Sequence, residues 1–313
     1  MLKKRRILVA KVETSEGTAE TLSASDGGIL AIDPKLDPDI AMGERSPAMA
    51  TMSKLQQVPL GSIAKLTFKA EMKGAGSAYS SGNTPALGRY LRACGFLEAI
   101  DTAVSAEKAT YTPASTGVPS LTMALYEDGV IKKMVGARGA VKISAKTGEI
   151  AYAEFEFTGV WGGATDGAPV SPTYEGTIPP VFLGSTLSVG GHTMIAAGID
   201  FDLGNKLHVR KDPTAASGYK SAVIVDRNAT GKFDPEMETV ASHDFFGLWK
   251  AGTAAALVIG PVGGVQYNRF KITAPKLAYT KVSDADRDGL AVADTAFQLA
   301  MSSGDDELVI EFS

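Results

Sequence analysis

The sequence reads as a strand-rich α+β fold with antiparallel sheets, made of two tandem modules that each carry one short helix. Three observations predict this. The chain repeats itself at an offset of about 165 residues. Period-two alternation, broken by glycine-bearing turns, recurs in both copies. Helical periodicity is confined to two short stretches, and a glycine ends each of them.

The repeat sets the organisation. Residues 21–72 fall on 186–237 without a gap, with identities that include Thr21/Thr186, Asp37/Asp202, Arg45/Arg210, Ala64/Ala229, Phe68/Phe233 and Met72/Met237. Leu36 over Phe201 keeps apolar character. NTPALGRYLRACG (83–95) then lies over ASHDFFGLWKAG (241–252). In the first stretch Thr84 is the expected N-cap with Pro85 behind it; in the second it is Ser242, with Asp244 in the first turn. Leu87, Tyr90, Leu91 and Cys94 share one helix face, as do Phe245, Leu248 and Trp249. Cys94 corresponds to Ala251, just before the terminating Gly95 and Gly252.

After each helix the period changes to two. SLTMALYEDGVIKKMVG predicts a hairpin at Asp128-Gly129, and AVKISAKTGEIAYAEFEFTGVW a second at Thr147-Gly148. Tyr152, Phe155 and Phe157 are core candidates, although Tyr152 and Phe155 share a face only across a bulge. The second copy continues as TAAALVIG, VQYNRFKI, PKLAYTKVS, a turn at DRDG, and VADTAFQLAMS. Hairpins dominate and no βαβ rhythm appears, so the sheets are antiparallel. TDGAPVSPTYEGTIPPVF is too rich in proline for a helix. It sets a first module at 1–165, a linker at 166–182 and a second module at 183–313. Two long loops, Gly43 to Gly61 and Arg210 to Val225, occupy the same place in each copy. A duplicated long loop points to interaction more than to catalysis.

Composition narrows the function classes. The net charge of −4 offers no global case for nucleic-acid binding. The single cysteine excludes an intrachain disulfide and a cysteine-based zinc site. The apolar run Ile7 to Ala10 is too short for a signal sequence, and no window approaches the ~18 apolar residues of a membrane span. A reducing cytoplasm is the expected place of synthesis, and the KKRR cluster reads as a solvated arm.

No catalytic pattern emerges. Cys94 lies on an apolar face, where a thiol packs as a small hydrophobe, and Arg89 and Arg92 are off that face. His192, His208 and His243 are remote from it in sequence. DADRDG opens like a calcium loop through Asp284, Asp286 and Asp288. However, the twelfth position is Thr295 and the flanks are strands, so it reads as a hairpin turn. TGKF lacks the glycine and the hydroxyl of a phosphate loop, and GPVGG does not open a helix. Carboxylates are scattered, with no convincing acid/base pair. The expectation is therefore a non-enzyme without cofactor or metal.

Certain stretches carry a resemblance. ILVAKVETSEGTAE, KLTFKAEM, PALGRYLRACGF, YTPASTGVPSLTMALYEDGVIKKMVGARGAV, AEFEFTGVW and SSGDDELVIEF resemble, in that order, the major tail tube proteins of long-tailed bacteriophages. The resemblance covers nearly the whole chain. It implies antiparallel β-sandwich or partial-barrel modules, each with a flanking helix. It also implies rings of subunits stacked into a tube, assembled in the host cytoplasm and located in the virion, through which genomic DNA passes without specific binding. No membrane is implied. The implied partners are further copies of the chain and other tail proteins such as tape measure, terminator and distal tail protein.

In that family the N-terminal arm and the long loop reach the next ring. The matching positions are Ile7, Val9, Val12 and Glu13 in the arm, and Arg45, Met49, Met52 and Leu55 in the first loop. Arg210, Lys211, Tyr219 and Lys220 match in the second loop. Many members carry one module and form hexamers, so two modules per chain imply a trimeric, pseudo-sixfold ring, with a homohexamer as the alternative. A different tail component, such as a terminator or minor tail protein, is a second reading. A carbohydrate-binding β-protein is a third, thin with only two tryptophans.

Overall fold

A computed structural model of the chain describes residues 4–104 and 106–313. Strands make up 53% of the structure and helix 5%, so the fold is mainly β, as the alternation predicts. Met1, Leu2 and Lys3, which begin the expected arm, lie outside the described residues.

The first half supplies β1 (Arg6–Val12), β2 (Ile32–Gly43), β3 (Val58–Glu71), α1 (Gly88–Ala93), β4 (Phe96–Asp101), β5 (Lys108–Pro113), β6 (Leu121–Glu127), β7 (Val130–Lys146) and β8 (Tyr152–Asp166). The second half supplies β9 (Leu187–Val189), β10 (His192–Thr193), β11 (Ala196–Asp202), β12 (Asn205–Lys211), β13 (Tyr219–Arg227) and β14 (Thr230–Pro235). After these come α2 (Phe245–Ala251), β15 (Ala255–Val262), β16 (Phe270–Arg287), β17 (Leu290–Ala300) and β18 (Val309–Phe312).

Hydrogen-bonded neighbours in the first half run β1-β6-β7-β8-β3-β2. In the second half they run β9-β15-β16-β17-β14-β11. All of these ladders are antiparallel, and each half places its helix directly after the strand that carries the Phe68/Phe233 pair.

Three ties join the halves. β11 pairs with β7 from Gly198↔Lys146 to Asp202↔Lys142. The result is one continuous sheet, β16-β17-β14-β11-β7-β8-β3-β2. β18 bridges β16 and β5. The β12–β13 hairpin forms a separate two-stranded sheet that packs over β7, β8 and β3. One apolar core runs through both halves.

The core follows from the alternation. Phe155 and Phe157 point inward from β8 and stack on Phe68 of β3, while Tyr90 of α1 meets Phe68 edge-on. In the second half Phe233 packs on Tyr279 and Phe297, with Phe245 of α2 against Tyr279. Burying each such ring contributes about 2–3 kcal/mol. Tyr152 lies on the opposite face from Phe155 and is half-buried.

Several local expectations are corrected. Thr84 caps nothing: α1 starts at Gly88 behind Leu87, with no side-chain cap. Packing of Tyr90 and Leu91, both buried, fixes this short helix. The cap of α2 is Asp244, not Ser242; its carboxylate accepts from the Gly247 N–H at 2.7 Å. The Arg210–Val225 loop is instead most of the β12–β13 hairpin, because apolar Leu207, Val209, Ala222 and Ile224 alternate there. Gly260 and Pro261 of GPVGG lie inside β15, and the turn begins only at Gly263.

Candidate assembly surface

The continuous sheet has one apolar face in the core and one polar face. Alternation sets this directly: Leu66, Phe68, Phe155, Val141, Phe201, Phe233 and Phe297 point in, so their neighbours point out. The outward side chains form ion pairs. Lys142 lies 3.0 Å from Asp202 across the seam between the halves, Lys232 3.4 Å from Asp200, and Lys281 2.7 Å from Asp294. Lys69 pairs with Glu154, and Lys35 with Asp37 at 2.5 Å. The Asp202 hydrogen bond pushes the Lys142 amine above its ordinary value, and the Lys281 hydrogen bond holds Asp294 below its own. Exposed pairs of this kind stabilise a fold by at most about 1 kcal/mol each. Their larger effect is to cancel charge along the face. A phosphate backbone binds to uncompensated Lys and Arg, and the lysines named here already have carboxylate partners.

A buried carboxylate fixes the N-terminal segment. Glu13 is 7% exposed and accepts four hydrogen bonds. They come from the Gly17 N–H (2.8 Å), the Ser120 hydroxyl (2.5 Å), the Thr122 hydroxyl (2.9 Å) and the Gly136 N–H (2.7 Å). Three residues on, Glu16 meets the second half. Its Oε1 accepts from Arg138 (2.7 Å) and Ser221 (2.6 Å), and its Oε2 lies 3.0 Å from Arg210. Burial raises the Glu16 carboxyl, but the Arg138 and Ser221 hydrogen bonds and the two guanidinium charges outweigh it, leaving the group below its ordinary value. Arg138 also donates to the carbonyls of Val118 and Ala222. Gly136 makes this approach possible. Its φ is +61°, and a Cβ there would stand 2.8 Å from the Ser221 Cα.

The structure therefore divides the sequence-predicted contact residues. Ile7 and Val9 pack in a small cluster with Ala124 and Tyr126, Val12 packs on the main core, and Glu13 is bound as described. The segment expected as a free arm is strand β1, paired with β6 from Arg6↔Glu127 to Val12↔Leu121. Arg210 bonds within the chain, Lys211 pairs opposite Tyr219, Tyr219 packs against Gly61, and the Lys220 backbone covers Gly17. By contrast Arg45, Met49 and Met52 are exposed, Met52 fully, and Leu55 is half-buried. Sequence reasoning missed Glu16, Arg138 and Ser221. The available signal was Arg138, a lone charge inside the run MVGARGAV.

Other groups have structural partners. Cys94 is fully buried, and burial pushes its thiol well above the ordinary value. His192 Nε2 lies 2.8 Å from Glu238 and the ring stacks on His243, which burial pushes down. DADRDG forms the end of β16 and a tight turn at Asp288 and Gly289, both at positive φ. Among the described residues no three His, Cys, Asp or Glu side chains gather as a metal site. In a groove of about 740 Å³, Arg227 is bonded to Glu307 and Asp305. No described helix is long and apolar enough to cross a membrane. No protein-family model matches the chain, and no curated protein does.

Proposed function

We propose that the chain is a structural virion protein that self-assembles into rings stacked as a phage tail tube, a conduit for DNA. The observation that carries this reading is the continuous sheet whose polar face has its charges paired. Eight strands per chain, β16-β17-β14-β11-β7-β8-β3-β2, are contributed as two sets of four in the same order. We read the halves as copies of one module, so that three chains close a ring of pseudo-sixfold symmetry. Twenty-four strands spaced about 4.8 Å apart and tilted about 40° close a barrel about 48 Å across between backbone centres. That leaves room for a DNA duplex, and paired charges on the inner face would let it slide. Ring closure also removes open sheet edges.

The exposed 44–57 loop with Met49 and Met52 suits contact between rings or with other tail proteins. The test is negative-stain microscopy of purified protein. Tubes or rings with a central channel and three chains per ring are expected. Monomers at high concentration would overturn the proposal, and single rings that never stack would favour a terminator.

A further inference from the structure

The seam between the halves describes an interface that one chain alone leaves incomplete. In the first half β7 has two neighbours on one edge: β6 along Val130–Ala137 and β11 along Lys142–Lys146. In the second half β15 covers the corresponding edge of β16 only from Phe270 to Leu277. Beyond Leu277 that edge has no strand partner among the described residues, and the far edge of β2 has none either. β2 stands to β3 as β11 stands to β14: Leu36 faces Leu66, and Phe201 faces Gly231. β7 stands to β8 as β16 stands to β17: Val141 faces Phe155, and Val282 faces Thr295.

We propose that β2 of a second copy of this chain adds, antiparallel, to the open edge of β16 in the register of the internal seam. This rests on the ring reading and names its interface. Phe201↔Ile143 and Asp200↔Ser144 within the chain become Leu36↔Asp284 and Lys35↔Ala285 between chains. Gly198↔Lys146 becomes Asp33↔Arg287.

Charge favours this fit. Asp33 of one copy comes opposite Arg287 of the other, whose guanidinium is held in its own chain by Asp234 at 2.8 Å and Glu236 at 3.3 Å. Arg6 donates to the Pro34 carbonyl at 2.7 Å, so its guanidinium accompanies β2 and arrives beside Asp286. Within one chain Arg5 pairs with Asp128 at 3.0 Å and Arg6 lies 3.9 Å from Asp33, so the acidic turn of the second copy adds to carboxylates that these arginines already meet. Opposite charges across strands stabilise a register, and a slip of one residue removes the match.

The edge is also guarded. Within the chain the Leu203 N–H donates to the Val141 carbonyl at 3.2 Å. The corresponding residue of β2 is Pro38, which has no N–H, and Pro34 lacks one too. Proline on an edge strand weakens indiscriminate pairing. The seam between chains is therefore weaker than the one within, which keeps free chains apart until they assemble.

Residues directly opposite in an antiparallel pair lie ~4.5–5.5 Å apart at Cα, within reach of a disulfide. In the full chain, with buried Cys94 left in place, the variant K35C/A285C is expected to give dimers and trimers on a non-reducing gel after oxidation. K35C alone and A285C alone are expected to give none, and the misaligned pair K35C/S283C at least about tenfold less. In wild-type protein, amide exchange at 282–286 is expected to slow on assembly. Rings that form without the crosslink or the slowed exchange overturn this seam and leave the ring reading standing. A ladder to six chains supports the seam and overturns the ring of three. Neither rings nor crosslinks overturns both.

Discussion

Replacing Glu13 with Gln changes one atom of a side chain that four donors surround. Each carboxylate oxygen serves one backbone N–H and one hydroxyl: Gly17 and Ser120 on Oε2, Gly136 and Thr122 on Oε1. The amide keeps one oxygen. Its nitrogen must face the other pair, and there the hydroxyl turns to accept, whereas the backbone N–H has no such freedom. One hydrogen bond to a charged acceptor is lost, about 1.5–3 kcal/mol, and a buried donor is left unsatisfied, about 1–3 kcal/mol. The site is 7% exposed, so solvent screens little of this.

E13Q is therefore expected to destabilise the chain by about 3–5 kcal/mol. At roughly 2.1 cal/mol/K per residue, a chain of 313 residues has an unfolding entropy near 0.7 kcal/mol/K, which converts the loss to a Tm drop of roughly 4–7 °C. Calorimetry of wild type and variant, matched in oligomeric state by sedimentation, measures it. A drop of less than about 1 °C would refute the claim that this carboxylate holds the two backbone N–H groups.

Three further outcomes are expected. Glu16 is held below its ordinary carboxyl value of 4.5, so its stabilising effect is full above that pH and is lost as pH falls from there through the lowered value. E16Q should lower stability at pH 7 and flatten the acid limb of the stability curve; parallel curves would rule the network out. Gly136→Ala meets the Ser221 backbone and must hold φ +61°, a combined cost of about 2–4 kcal/mol. Hydrogen exchange should then show the β12–β13 hairpin loosened, and an unchanged hairpin would contradict the close approach. Cys94, buried and with its thiol pushed up, should resist a thiol reagent at pH 8 in the native protein and react fully in denaturant; rapid native labelling would count against a packing role.

Much of the fold was legible in local pattern. Alternation placed Phe155 and Phe157 inward, and Asp128-Gly129 marked a two-residue turn with both φ values positive. Glycine ended both helices because residues 95 and 252 take left-handed φ. The helix starts were less legible. Asp244 and Ser242 are both chemically able to cap, and only the position of Phe245 in the core selects between them. The candidate surface was less legible still. Glu13 was named as an outward contact, yet the donors that enclose it come from residues 120, 122 and 136.

The sequence by itself determined the strand periods, the two short helices and the inert setting of Cys94. Side-chain polarity encodes these things, and it is written residue by residue. Only the tertiary structure decided that β11 joins β7 and that β2 and half of β16 stay open. It alone placed Glu16 against Arg138 and Arg210. Strand pairing is made by backbone groups that nearly every residue carries alike. The choice of neighbour therefore leaves little mark on the sequence and emerges only when the whole core closes.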